Sequence, residues 1–108
     1  MSGLSQERCI PCSLGTPPIV GEELKALKSE LSDGWEVIEE AKLEKHYKFK
    51  DFKSALDFVD KVGAIAEEQG HHPDIELGWG RVVVYLMTHK IHGLSRNDFI
   101  MASLIDAL

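Results

Sequence analysis

Residues 71–89 read His71-His72-Pro73-Asp74-Ile75-Glu76-Leu77-Gly78-Trp79-Gly80-Arg81-Val82-Val83-Val84-Tyr85-Leu86-Met87-Thr88-His89. Proline disfavours the helical conformation at the residue before it and donates no backbone hydrogen bond, so the histidine pair ends one element and opens another. Ile75 and Leu77 then alternate with Glu76, and Gly78-Trp79-Gly80 supplies a turn. The run Arg81 to Thr88 is apolar on both faces, the pattern of a central strand or of one whose second face meets another subunit. The two segments form a hairpin. An antiparallel return puts the start of its first strand and the end of its second at the same end of the sheet. His71, His72 and His89 are thereby expected to face one cavity.

Upstream of the pair, Phe52, Ala55, Leu56, Val59, Val62, Gly63 and Ala66 recur at three- and four-residue steps, a stripe wide enough to lie on a sheet. Asp51 suits the N-cap of this helix, and Gly70 the left-handed position just past its end. Glu67 falls in its last turn, one turn before His71. Earlier still, Trp35 to Ile38 and Leu43 to Phe49 read as two strands joined through Glu39-Glu40-Ala41-Lys42. In the second, Leu43, Tyr47 and Phe49 share one face while Glu44, His46, Lys48 and Lys50 share the other, which makes His46 a solvent-exposed strand histidine. From Glu22, Leu24, Leu27 and Leu31 mark a short amphipathic helix closed by Asp33-Gly34.

Downstream, Ser95-Arg96-Asn97-Asp98 resembles a capping box, with Asp98 at the third helical position. Phe99, Ile100, Met101, Ala102, Leu104, Ile105 and Leu108 then make the last helix apolar over more than one stripe, a surplus that suggests a subunit contact. His92 reads as a solvated loop histidine. The order is α-β-β-α-β-β-α: an α+β two-layer sandwich, with a four-stranded antiparallel sheet and helices packed on one face. Residues 21–108 form a single domain. Residues 1–20, which carry Gly3, Pro11, Gly15, Pro17 and Pro18 with no period, read as an irregular amino-terminal tail in which function is not expected.

Composition narrows the function. The chain has 108 residues, 44% hydrophobic and 28% charged, which suits one globular domain that needs no disulfides. Its net charge of −6, from 18 acidic and 12 basic residues without a basic cluster, disfavours direct nucleic-acid binding. No apolar run is long enough to cross a bilayer and no amino-terminal targeting pattern is visible, so a cytoplasmic location without membrane contact is expected. Cys9 and Cys12 form a Cys-Ile-Pro-Cys unit. It lacks the strand-to-helix setting of a redox pair and the second ligand pair of a zinc site, and reads as two thiols in a tail.

Glu67, His71-His72-Pro73, Trp79, His89 and Asp98, in this order and at these spacings, resemble the pterin-4a-carbinolamine dehydratase family. Gly34-Trp35, Lys50-Asp51-Phe52, Thr88-His89 and Gly93-Leu94-Ser95 extend the likeness over about residues 21 to 107. The resemblance implies a dehydratase that converts 4a-hydroxytetrahydropterin, the product of pterin-dependent aromatic amino acid hydroxylases, to quinonoid dihydropterin and water. It implies His71 and His89 as the acid–base pair, His72 as the residue that binds and orients the pterin, and Glu67 and Asp98 as orienting or ring-contacting acids. It implies no cofactor, the pterin being substrate, and a homo-oligomer, dimer or tetramer. One departure is Gly70, where some members carry an acidic or amide residue.

Imidazole suits such chemistry, because a pKa of about 6.5 leaves acid and base forms both available at neutral pH. Three other readings stand beside it. His71, His72, His89 and Glu67 are metal-ligand types, yet they match no common structural zinc spacing and no His-Glu-x-x-His motif is present. A non-catalytic dimerisation module would use surface helices. A role near molybdopterin would use the same pocket.

Overall fold

The computed structural model describes residues 3–10 and 16–108. Three helices, α1 (Gly21–Lys28), α2 (Phe52–Gln69) and α3 (Arg96–Asp106), alternate with two hairpins, β1 (Glu36–Ile38) with β2 (Lys42–Lys48) and β3 (Asp74–Gly78) with β4 (Arg81–Leu86). All pairings are antiparallel and the sheet order is β1-β2-β4-β3. The α+β sandwich expected from the apolar periods is the fold observed.

Local chemistry sets the boundaries. Asp51 caps α2 through a 2.8 Å bond accepted from the Ser54 amide, and Gly70 ends it at φ +67°, where a residue without a Cβ carries no steric penalty. Helix α1 stops at Lys28 rather than near Asp33, and two further turns carry Leu31 against the core. The β1–β2 turn has Glu39 and Glu40 both at φ +53°, the two left-handed positions of the tight turn that matches strand twist.

The core lies between the helices and one sheet face. Leu43, Val82, Val84 and Leu86 meet Ala55, Val62 and Ala66 of α2 and Phe99, Met101 and Ala102 of α3. β4 is apolar on both faces because it is central: Val83, on the face away from the helices, is buried between its register partners His46 and Glu76. His46 is exposed, as is His92.

Most of the apolar surface of α3 is covered inside the chain, Phe99, Ile100, Met101, Ala102 and Ile105 being buried while Leu108 stays 52% exposed. In the described part of the amino-terminal segment, a 3-10 turn at Leu4–Gln6 packs on α3 and buries Leu4 in the same core. Cys12, Pro11 and Gly15 lie outside the described residues.

The far end of α3 is tied to the first hairpin by Asp106. Its carboxylate accepts from the Ser32 amide at 3.0 Å, the Ser32 hydroxyl at 2.7 Å, Trp35 Nε1 at 2.9 Å and Lys45 Nζ at 3.1 Å. Burial pushes this carboxyl up, but the combined donors outweigh burial and hold it below its ordinary range.

Candidate active site

The hairpin β3–β4 does what its sequence requires: Asp74 pairs with Tyr85, so the start of β3 and the end of β4 share one end of the sheet. There the carboxyl end of α2 delivers Gln69, Gly70 and His71, and the segment after β4 delivers Thr88, His89 and Lys90, to a cavity of about 310 Å³. Asn97 of α3 and Cys9 and Ile10 of the amino-terminal segment complete the lining. That volume lies near the lower bound of small-molecule sites, about 300–1,000 Å³.

His71 is the most constrained imidazole. Its Nε2 lies 2.6 Å from Asp98 Oδ1, and its side chain is 13% exposed while Asp98 is fully buried. The other carboxylate oxygen, Oδ2, accepts from the Thr88 hydroxyl at 2.8 Å and the Ser95 amide at 2.9 Å, and the two hydroxyls meet at 2.6 Å. An ionised carboxylate has only acceptors to offer, so the Asp98 contact puts the proton of neutral His71 on Nε2 and leaves Nδ1 as the acceptor. The sequence allowed Asp98 either a cap or a site role. It holds both, for the Ser95 bond is half of a complete capping box.

His89 begins a 3-10 turn, His89–Ile91, braced by a bridge between Thr88 and Gly93. Its side chain is 68% exposed, with Asp74 Oδ2 3.8 Å from Nε2. The structure thus brings His71 and His89 to one cavity, with Asp98 buried behind His71. His72 faces elsewhere: it pairs with Glu67, both are largely exposed, and neither lines this cavity. Adjacent residues leaving a helix end in extended conformation point to opposite sides, so one histidine turns inward and its neighbour outward. Trp79 is farther still, 73% exposed at the tip of the hairpin, the opposite end of the sheet.

Sequence reasoning passes over Thr88 as a donor to Asp98, and it passes over Gln69, Asn97, Cys9 and Ile10 as cavity walls. A hydroxyl directly before His89 and an amide directly before Asp98 are the available signals. The contact of the amino-terminal segment has none, since that segment has no period. Among the described residues no three His, Cys, Asp or Glu side chains converge as metal ligands would, and no helix is long and apolar enough to cross a membrane.

The family profile described as "Pterin 4 alpha carbinolamine dehydratase" matches residues 17–108. The chain belongs to this family. Among its relatives are two provisionally named pterin-4-alpha-carbinolamine dehydratase. One, from Rubrobacter xylanophilus, is 50% identical over 108 residues, covering 100% of both chains. The other, from Alkaliphilus metalliredigens, is 49% identical over 106 residues, covering 98% of this chain and 96% of the relative. The crystal structure of a transcriptional coactivator/pterin dehydratase from Brucella melitensis superimposes with a TM-score of 0.77 at 31% identity, covering 83% of this chain and 96% of that one. Within this family member, the described cavity is lined by two histidines, His71 and His89, the first of them held by buried Asp98.

Proposed function

We propose that this chain dehydrates 4a-hydroxytetrahydropterin to quinonoid dihydropterin by histidine acid–base catalysis, returning the pterin to the redox cycle of aromatic amino acid hydroxylation. The observation that carries the reading is His71, anchored by buried Asp98, lining the same cavity as His89. A 4a-carbinolamine holds a hydroxyl and a ring nitrogen on one carbon. Cleavage of its C–O bond needs a proton at the departing oxygen, and formation of the C=N bond needs the N–H proton removed. Two imidazoles, one protonated and one neutral, carry out both transfers, and the net change is loss of water. The dehydration is redox-neutral, the C–O pair leaving with oxygen as the nitrogen pair forms the C=N bond, so no redox cofactor enters the balance.

His71 has its tautomer set by Asp98 and meets the substrate through Nδ1, while His89, exposed and unburdened by a buried partner, exchanges protons with water between turnovers. Positioned transfer of this kind contributes about a hundred- to ten-thousand-fold in rate. His72, paired with Glu67 outside the lining, is assigned no proton, and an orienting contact only with a part of the pterin that extends beyond the cavity. We also propose self-association, now through exposed apolar residues such as Trp79 and Phe52 rather than α3; a monomer by light scattering at micromolar concentration would sink that. A second reading, protein binding, is favoured by the Brucella melitensis neighbour, which is named a transcriptional coactivator as well as a pterin dehydratase.

The test is dehydration of freshly generated 4a-hydroxytetrahydropterin, followed by ultraviolet absorbance on chelator-treated protein. The wild type should accelerate it, and His89→Ala should lose about a hundredfold or more in kcat with its fold intact. A well-folded wild type that gives no acceleration would turn the assignment to binding.

A further inference from the structure

Cys9 and Ile10 line the cavity although they lie outside the 17–108 match to the family profile. Their position is built. The Asn97 side chain holds the Ile10 backbone at both ends, its Oδ1 accepting from the Ile10 amide at 3.0 Å and its Nδ2 donating to the Ile10 carbonyl. Gln69 Oε1 accepts from the Cys9 amide at 2.8 Å, and the Cys9 thiol donates to the Asn97 carbonyl at 3.6 Å. Gln69 and Asn97 themselves line the cavity, and each is one or two residues from a member of the His71–Asp98 pair. Farther out, Arg96 grips Glu7 with two bonds, and Leu4 is sunk in the core. Two consecutive backbone amides are therefore fixed by side chains that belong to the site.

Nothing in the fold needs Ile10 where it is. The residue is 71% exposed although it lines the cavity, so its apolar side chain gains little from the protein alone. An exposed aliphatic side chain on a rigidly held backbone is what a flat aromatic ligand would cover.

We propose that the amino-terminal strap, Leu4 to Ile10, is a wall of the pterin site and that Cys9 and Ile10 set how tightly the pterin ring is held. The inference rests on the pterin reading of the cavity. It makes Asn97 and Gln69 positioning residues, which act through the strap, and Ile10 a specificity-determining contact. His71 and His89 keep the proton transfers.

The test uses the full chain with Cys12→Ser, which leaves Cys9 as its single thiol. Alkylation of Cys9 by iodoacetamide is timed with and without a saturating, unreactive 7,8-dihydropterin. Steady-state dehydration is compared for the parent, Ile10→Ala and Glu7→Ala. Bound dihydropterin should slow alkylation about fivefold or more. Ile10→Ala should raise KM about three- to tenfold, the effect of losing part of an aliphatic contact, with kcat within about twofold. Glu7→Ala, which loosens the strap from outside the cavity, should raise KM in the same sense and leave kcat alone. An unprotected Cys9 together with an unaltered KM in Ile10→Ala would overturn the wall while leaving the dehydratase reading in place. Protection of Cys9 in a protein that does not turn the carbinolamine over would uphold the wall and overturn the dehydratase reading.

Discussion

Asp98→Asn separates the structural and chemical duties of one buried side chain. Asp98 Oδ2 faces the Ser95 amide, which can only donate, so the asparagine carbonyl has to take that position. Its amide nitrogen then occupies the place of Oδ1, 2.6 Å from His71 Nε2 in the native protein. Two donors cannot share a hydrogen bond, and His71 resolves the conflict by moving its proton to Nδ1. The capping bond and the Thr88 bond survive, while one charge-assisted bond becomes a neutral one, a loss of about 1 kcal/mol, equivalent to about 5 °C in melting temperature for a chain of this size. The chemistry suffers far more, because the ring nitrogen offered to substrate is now a donor where an acceptor was required. A fall of about a hundred- to ten-thousand-fold in kcat is expected, about 2.7–5.4 kcal/mol at about 1.36 kcal/mol per decade. KM should change little. Steady-state dehydration gives the rate, and nitrogen NMR of the labelled imidazole gives the tautomer. A variant whose kcat stays within about threefold of wild type, with the proton shown to sit on Nδ1, would refute this account of His71.

Asp106→Asn should show its cost mainly at neutral pH. The folded carboxyl titrates below its unfolded value, so its stabilisation is present above about pH 4 and is lost as the pH falls through the folded value; the wild-type advantage, about 1–3 kcal/mol by urea unfolding at pH 7, should shrink towards pH 3, and a constant difference would contradict it. Gly80→Ala should destabilise by about 1–2 kcal/mol or more, since φ is +67° and a Cβ would stand 2.9 Å from the Phe49 carbonyl oxygen. Gly63→Ala, in the middle of α2 with open space at the Cβ, should instead stabilise by about 0.5–1 kcal/mol; thermal melts of both would expose an error in either sign. Leu4→Ala should cost about 2–4 kcal/mol in denaturant unfolding if the strap belongs to the core, and a loss near zero would mean that it does not.

Elements whose cause is local are legible in the sequence. Asp51 and Gly70 bound α2 because a cap and a left-handed stop act within one turn, and the two-faced run of β4 announces its central place in the sheet. What is not legible needs partners distant in sequence. The apolar excess of α3 points outward on paper because its cover, around Leu4, carries no period of its own. His71 and His72 are identical letters side by side, and only the direction of the backbone leaving α2 sends one to Asp98 and the other to Glu67. Trp79 keeps its spacing in the motif while lying at the other end of the hairpin.

The double employment of Asp98 bears on how a relative that had abandoned catalysis would look. Such a chain would still need an acceptor three residues into its last helix to hold the Ser95 amide and the Thr88 hydroxyl, so an aspartate kept there is no sign that the enzyme is alive. His89 has no such tie. It is exposed and caps nothing, and drift would remove it first once turnover ceased to matter. Of the positions that make up this site, His89 is therefore the one whose retention or loss tells a working enzyme from a retired one.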